Sequence, residues 1–166
     1  MRFINYSDRP LVEMPSFQQF QLEARGSKPN GIWLSVVEEN GRDSWKDYCE
    51  RTNHPLKPYR TEVIISKEAR ILHLATAKEI DQITNRYGYF RECREHEKSN
   101  PDYTRSSIHW DQVAQQYAGI IITPYCEERH RLDLWYFTWD CASGCMWSKD
   151  AIKEMNPPQV ACLVPL

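Results

Sequence analysis

The sequence KPNGIWLS at residues 28–35, followed by SWKDYC at residues 44–49, decides the fold of this chain. The Pro-Asn-Gly of the first segment is a turn signal, and the apolar run after it predicts a strand at residues 32–36. Ser44 and Asp47 have the spacing of a capping box, which predicts that a helix begins there. A turn, a strand and a helix therefore follow one another closely.

The same segment carries residues suited to a flat ligand. A group such as a nicotinamide needs main-chain hydrogen bonds for its amide, an aromatic face for its ring and a small hydroxyl nearby. Gly31 lets a backbone approach closely, Trp33 or Tyr48 offers the face, and Ser35 offers the hydroxyl. The alternative is that Trp33 and Leu34 are core residues of a buried strand.

The GIWLS sequence, with a Ser/Trp-to-Tyr helix start after it, resembles the GIYFA or GIYFS segment and following helix of the ADP-ribosyltransferase superfamily, which includes the poly(ADP-ribose) polymerases. The resemblance consists of short motifs in the same order over about a quarter of the chain. In that family the segment forms the nicotinamide pocket. The resemblance implies NAD as substrate, bound by Gly31, Ile32, Trp33, Trp45 and Tyr48, with the main chain of Gly31 on the amide.

The sequence WDCASGCMW at residues 139–147 is a strand-like run broken by an acid and small residues. By resemblance, Asp140 is the catalytic acid that stabilises the cationic ribose or deprotonates the acceptor, and Ser35 steadies it. The family usually has Glu at this position, and Glu127 or Glu128 would serve if the register differs. Without a ligand, Asp140 would cap a turn between hairpin strands.

The first strand carries Asn5-Tyr6-Ser7 where the superfamily has His-x-Ser or His-x-Thr for the adenosine ribose and phosphates. Asn5 can hydrogen-bond a ribose but cannot become charged, whereas Ser7 fits the pattern directly. Arg2 is the alternative, as the arginine of the Arg-type subfamily. The other interpretation is that this segment has no ligand and forms only the end of a strand and a turn.

Composition limits the class of protein. The chain has 166 residues, 41% of them hydrophobic and 27% charged, which predicts one soluble domain over residues 1–166. No run approaches the ~20 apolar residues of a membrane span, and the amino terminus lacks the apolar core of a signal peptide, so we expect a cytoplasmic location. A net charge of -2 and a pI near 6.2 argue against strong generic binding to nucleic acid.

The cysteines are scattered, and we expect them to be reduced thiols: Cys49, Cys93, Cys126, Cys141, Cys145 and Cys162. Cys141-x-x-x-Cys145 with the distant His130 is a poor zinc site, so no metal is expected. No local signature marks a nucleophilic cysteine. A Gly-rich phosphate loop, a Gly-x-Ser-x-Gly elbow and a His-Glu-x-x-His helix are also missing from the sequence.

Further signals divide the rest of the chain into elements. Beyond the strand at 32–36, apolar runs predict strands at 1–8, 62–66, 71–74, 120–122, 132–139, 144–147 and 160–164, of which 62–66 and 71–74 are expected to pair. Helices are predicted at 44–52, at 77–87 after a Thr76/Glu79 capping box, and around Trp110 after a cap at Ser106 or Ser107. Irregular or solvated segments are expected at 9–30, 38–42 and 91–105.

These observations predict a single α+β domain with a split, mostly antiparallel β core and peripheral helices, similar to an ADP-ribosyltransferase. The strands bearing Asn5 and Trp33 should be neighbours, with Asp140 facing the cleft between them. The function implied by the resemblance is NAD-dependent transfer of ADP-ribose to a protein, nucleic-acid or small acceptor. The alternative is a non-catalytic effector or phage-type inhibitor that binds a partner through an aromatic surface.

Overall fold

A mostly antiparallel eight-stranded sheet organises the fold. The computed structural model describes residues 1–13, 28–90, 106–130 and 134–161. The strands are β1 Arg2–Ser7, β2 Ile32–Val37, β3 Tyr59–Ile65, β4 Ile71–Leu74, β5 Gly88–Phe90, β6 Ser106–Ile108, β7 Gly119–Ile122, β8 Ser143–Met146, β9 Ile152–Met155 and β10 Gln159–Val160. The helices are α1 Ser44–Thr52, α2 Ala77–Tyr87, α3 Trp110–Ala114 and α4 Leu134–Phe137.

The strand order across the main sheet is β10-β3-β1-β2-β8-β7-β4, and β9 also pairs with β3. All of these neighbours are antiparallel except β4 and β7, which are parallel. The main sheet is one continuous path of paired strands, whereas a split core was expected. β5 and β6 form a separate two-stranded ribbon. The mixed α+β class with a mostly antiparallel sheet is confirmed.

β1, β2 and β8 lie side by side at the centre of the sheet, so the strands bearing Asn5 and Trp33 are neighbours, as expected. Ile4 is opposite Ser35, and Ser35 is opposite Ser143. Because directly paired residues share a face of a sheet, these side chains form one row across the three strands. This row becomes the floor of the site described below.

The expected pairing of residues 62–66 with 71–74 is wrong. Both runs are strands, but β3 pairs with β1, β9 and β10, whereas β4 pairs with β7. A strand's alternating apolar pattern says which of its faces is buried and does not identify its neighbour, so adjacency in the chain was a poor guide.

The expected strand at 132–139 is also wrong, because Leu134–Phe137 is a helical turn, and residues 131–133 lie outside the described part of the chain. Trp135, Tyr136 and Trp139 are all completely buried. Aromatic residues are typical of strands, which explains the error, but here tertiary packing of three rings into the core outweighs that preference. The strand at β9 was missed.

The start of α1 differs from the predicted capping box. The helix does span Ser44–Thr52, but its N-cap is Asp43, whose side chain accepts a hydrogen bond from the Lys46 amide at 3.2 Å. Asp47 instead pairs with Arg42 on the surface. The Ser44 hydroxyl is tied to β2 through the Val36 amide at 3.2 Å.

Of the other two predicted helix starts, one is confirmed and one is wrong. The Thr76/Glu79 capping box of α2 is confirmed, with both of its hydrogen bonds present. Ser106 and Ser107 do not cap α3, because both lie in β6 and the N-cap is His109. The polar turn at 38–42 is confirmed by a hydrogen bond from the Glu38 amide to the Arg42 carbonyl at 2.9 Å.

Two apolar clusters cover the two faces of the sheet. The larger one gathers Trp110, Trp135 and Trp139 with side chains of α2, α3, β4 and β7. The smaller cluster contains Ile32, Leu34, Val63, Ile121 and Met146. Every residue of β7 is buried, as expected for a strand covered on both faces. In the parts of the chain that the structure describes, no helix has the length and apolar character to cross a membrane.

Some expectations fall outside the described residues. These are the segment at 91–105, most of the loop at 9–30, the end of the run at 160–164, and Cys93 and Cys162.

Candidate functional site

A cavity of about 250 Å³ lies above the row formed by β1, β2 and β8, beside the start of α1. Its wall includes Tyr6, Trp33, Ser35, Trp45, Trp139 and Asp140. Trp33 and Ser35 are two residues apart on β2, so strand geometry turns both toward the same face. The cavity thus collects residues from about the first third of the chain and from residues 139–143 near its end.

Asp140 enters the cavity from the short segment between α4 and β8. Its carboxylate lies 3.6 Å from the Lys28 ammonium. Burial and, secondarily, the negative charge of Asp140 raise the pKa of Tyr48, which therefore stays a donor. The Asp140 side chain keeps 29% of its surface exposed, so the carboxylate remains accessible.

Asp43 is a second acid, not predicted from the sequence, that contacts the cavity wall through Ser35 and Tyr6. Its two carboxylate oxygens accept hydrogen bonds from the Ser35 hydroxyl at 2.6 Å and from the Tyr6 hydroxyl at 2.8 Å. Burial, followed by the hydrogen bond to Asp43, raises the pKa of Tyr6. An acid immediately before a helix is a common N-cap, and that signal would have identified it.

Ser35 does not contact Asp140, so its expected role of steadying that acid is wrong. Its hydroxyl donates to Asp43, accepts a hydrogen bond from the Trp45 amide at 2.9 Å and lies 3.1 Å from the Ser44 hydroxyl. These contacts fix the start of α1 against β2. Ser35 is therefore on the cavity wall but bonded to the acid of α1 rather than to Asp140.

Aromatic rings form two sides of the cavity. The ring centroids of Trp33 and Trp139 are 4.7 Å apart, and Trp45 stacks on Tyr48 with centroids 5.3 Å apart. The Lys28 ammonium lies 5.1 Å from the Trp33 ring centroid, within the range of a cation–π contact. A cation is thus held between an indole and a carboxylate in this structure.

Several residues expected at the site lie elsewhere. Because Ile4 and Tyr6 face the cavity, Asn5 points to the other side of the sheet, where its amide donates to the Trp33 carbonyl at 2.9 Å. The Ser7 hydroxyl donates to the Arg9 carbonyl in an exposed turn. Arg2, at the far end of β1, pairs with Glu62 at 4.0 Å.

Gly31 and Ile32 are also outside the cavity wall. Ile32 is buried in the smaller apolar cluster. A Cβ atom at Gly31 would lie 2.4 Å from the Met146 carbonyl oxygen, so glycine is needed here for the close approach of β8. The absence of a side chain at Gly31 is explained by packing rather than by an approaching ligand.

The alternative acids Glu127 and Glu128 lie in an exposed helical turn, Glu127–Arg129. Neither contributes to the cavity wall, and Glu128 accepts a weak hydrogen bond from the Cys126 thiol at 3.6 Å. Of the three acids considered from the sequence, Asp140 is the one that lies at the cavity.

Aromatic side chains contact the backbone just before Asp140, at the Trp139 carbonyl. The Tyr125 hydroxyl donates to the Trp139 carbonyl and contacts the His130 ring nitrogen. Tyr125 also stacks on Tyr136, with centroids 5.3 Å apart. No spacing in the sequence reveals these contacts, because they depend on how α4 returns to the sheet.

The described cysteines are free thiols: Cys49, Cys126, Cys141 and Cys145. Burial raises the pKa of Cys141, on the cavity wall, to about 12, and the pKa values of the other three are raised as well. At neutral pH these side chains are protonated, so none of them is an activated nucleophile. Within the described residues, no group of three or more His, Cys, Asp or Glu side chains gathers as metal ligands would.

Comparison of the chain with protein-family models, with curated proteins and with solved structures gives no match.

Proposed function

We propose that this protein transfers ADP-ribose from NAD to an acceptor and that the cavity holds the nicotinamide end of NAD. One observation carries the proposal: the Asp140 carboxylate and the Trp33 ring line the same small cavity, together with further aromatic walls. A nicotinamide joined to ribose is flat and positively charged. An indole face and a carboxylate are the two kinds of group that attract such a cation.

The size of the cavity supports occupation by part of the substrate. Pockets that enclose a drug-sized ligand measure about 300–1,000 Å³. A cavity of about 250 Å³ is smaller, so it suits a single ring and the start of a sugar rather than a whole dinucleotide. In the proposed complex, the adenosine half would lie outside the cavity.

The chemistry follows from the charges. The bond between ribose C1′ and the nicotinamide nitrogen breaks, and its electron pair passes to the nitrogen, which neutralises the ring and leaves a cationic ribose. A carboxylate in a partly dry site stabilises that cation more than it stabilises the starting ring cation. The acceptor then gives an electron pair to C1′ and loses a proton, which passes to the Asp140 carboxylate.

The alternative, a protein that binds a partner through an aromatic surface, has weaker support. The largest fully buried side chains include Trp110, Trp135, Trp139 and Tyr136. Among the large hydrophobic side chains exposed in the described residues, Phe137 is the one aromatic, at 48%. Much of the aromatic content therefore packs inside the fold rather than forming a contact surface.

The test is nicotinamide release from NAD by the wild-type protein and by Asp140→Asn, with candidate acceptors present. Loss of the charge should lower the rate by roughly 100-fold while NAD affinity changes little, because the carboxylate acts mainly as the bond breaks. Glu127→Gln removes an exposed charge nearby and should leave the rate unchanged. No release by the wild type under any of these conditions, or equal rates for wild type and Asp140→Asn, would contradict the proposal.

A further inference from the structure

Two lysines lie on the wall of the cavity and have no role in the chemistry described above. Lys28 precedes β2, and Lys57 precedes β3, so they reach the cavity from different parts of the fold. Of the charged side chains on the wall, two are these lysines and one is Asp140, counting the described residues. The wall therefore carries two cationic side chains and one anionic side chain, and the Asp43 and Asp8 carboxylates adjoin it through their contacts with Tyr6, Ser35 and Lys57.

Both lysines are bound to partners they can exchange. Lys57 contacts both carboxylate oxygens of Asp8, at 2.7 and 2.8 Å, but the Asp8 side chain is 72% exposed. Lys28 is 42% exposed and lies 3.6 Å from Asp140. Exposed ion pairs of this kind contribute little, so a ligand could replace them at small cost.

The hydroxyl groups of the wall already donate to acceptors within the protein. The Tyr6 and Ser35 hydroxyls donate to Asp43, and the Ser143 hydroxyl donates to the Cys141 carbonyl at 3.0 Å. Asn5, which the sequence analysis assigned to the adenosine side, faces away from the cavity. Among the described wall residues, the lysines are the positively charged donors for an anionic part of a ligand.

We propose that Lys28 and Lys57 bind a phosphate group of the ligand at the edge of the cavity, so that the site selects nucleotides over nucleosides. This proposal rests on the proposed function. It assigns to the two lysines the phosphate contacts that were expected of Asn5 and Ser7. Ammonium–phosphate hydrogen bonds are charge-assisted and stronger than neutral ones. When Lys28 moves to the phosphate, it leaves Asp140 free to face the ribose and uncovers the Trp33 ring.

The test compares nicotinamide riboside with nicotinamide mononucleotide, which differ by one phosphate, in titrations followed by tryptophan fluorescence. The wild type should bind the mononucleotide about tenfold more tightly or better, as expected for a hydrogen bond to a charged group. Lys28→Gln and Lys57→Gln should each reduce that ratio severalfold without weakening the riboside. Lys153→Gln, on exposed β9, is the matched control and should leave the ratio unchanged.

Equal binding of the two compounds by the wild type would overturn the inference while leaving the proposed function standing. If neither compound binds, the proposed function fails, and calorimetry with inorganic pyrophosphate then decides the role of the lysines. Pyrophosphate binding that is lost in both lysine variants and kept in Lys153→Gln would support an anion site. Absence of pyrophosphate binding, or its persistence in the lysine variants, would overturn it.

Discussion

Trp33 is the residue that most strongly links the fold to the proposed ligand. Its ring lies on the cavity wall between the Trp139 ring and the Lys28 ammonium. If nicotinamide stacks there, NAD should quench tryptophan fluorescence to saturation, and Trp33→Ala should weaken NAD binding by ~1 kcal/mol or more. Trp33→Phe keeps an aromatic face and should retain most of the affinity. If Trp33→Ala binds NAD as tightly as the wild type does, the nicotinamide ring does not stack on Trp33.

At the residue scale, the sequence identifies those parts of the site that lie within one local segment. Trp33, Ser35 and Trp45 belong to a single motif, and Asp140 stands at a break between two regular runs, so the resemblance of short motifs points to them. Tyr6 belongs to the first motif only because it is next to Asn5, and no pattern in the sequence indicates that Asn5 faces away from the cavity. The bond from Tyr6 to Asp43 joins residues 37 positions apart, which no local spacing encodes.

At the element scale, the start of α1 is the structural support of the cavity. Asp43 caps the helix and also accepts from Tyr6 on β1 and Ser35 on β2, so one side chain joins three elements. Asp43→Ala should lower the free energy of unfolding by at least about 2 kcal/mol, from the lost cap and the two hydroxyls left without their acceptor. Urea denaturation measures this difference.

Asp47→Ala is the matched control for this prediction, because Asp47 lies one turn further along α1 and pairs with Arg42 on the surface. Exposed ion pairs contribute little, so this variant should remain close to the wild type in stability. If Asp43→Ala and Asp47→Ala lower the free energy of unfolding by the same small amount, the hydrogen bonds of Asp43 do not stabilise the packing of α1 on the sheet.

Helices were easier to predict than strand partners for a physical reason. A capping box such as Thr76 with Glu79 is satisfied within four residues, so the limits of α2 follow from sequence. A strand's partner depends on which edge remains free after the rest of the chain has folded. The parallel pairing of β4 with β7 spans a long connection through α2, and β3 and β4 appear adjacent only in sequence.

At the scale of the whole molecule, stability should depend on alkaline pH. Burial raises the pKa of Cys141 from 9.0 to about 12, and it raises the pKa values of Tyr6, Tyr125 and Tyr136 above 10.0. These groups lose protons more easily in the unfolded chain, so they favour unfolding at high pH. The contribution of these protonated side chains to the free energy of unfolding should be fully present below pH 9.0 and should decline as the pH rises toward 12.

Urea midpoints between pH about 7 and 10.5 measure this decline. Cys141→Ala should make the fall between about pH 9 and 10 shallower, because one of the buried thiols that titrate first in the unfolded chain is gone. A midpoint that stays constant up to pH about 10.5 would mean that these side chains are not held neutral in the folded protein.

The central claim is that the cavity lined by Trp33 and Asp140 binds NAD, and calorimetric titration of the wild-type protein with NAD tests it most directly. We expect saturable binding of one NAD per chain, with competition by nicotinamide, because the proposed contacts are made by that ring. Heats no larger than those of dilution at millimolar NAD, or binding that nicotinamide does not compete with, would contradict the account.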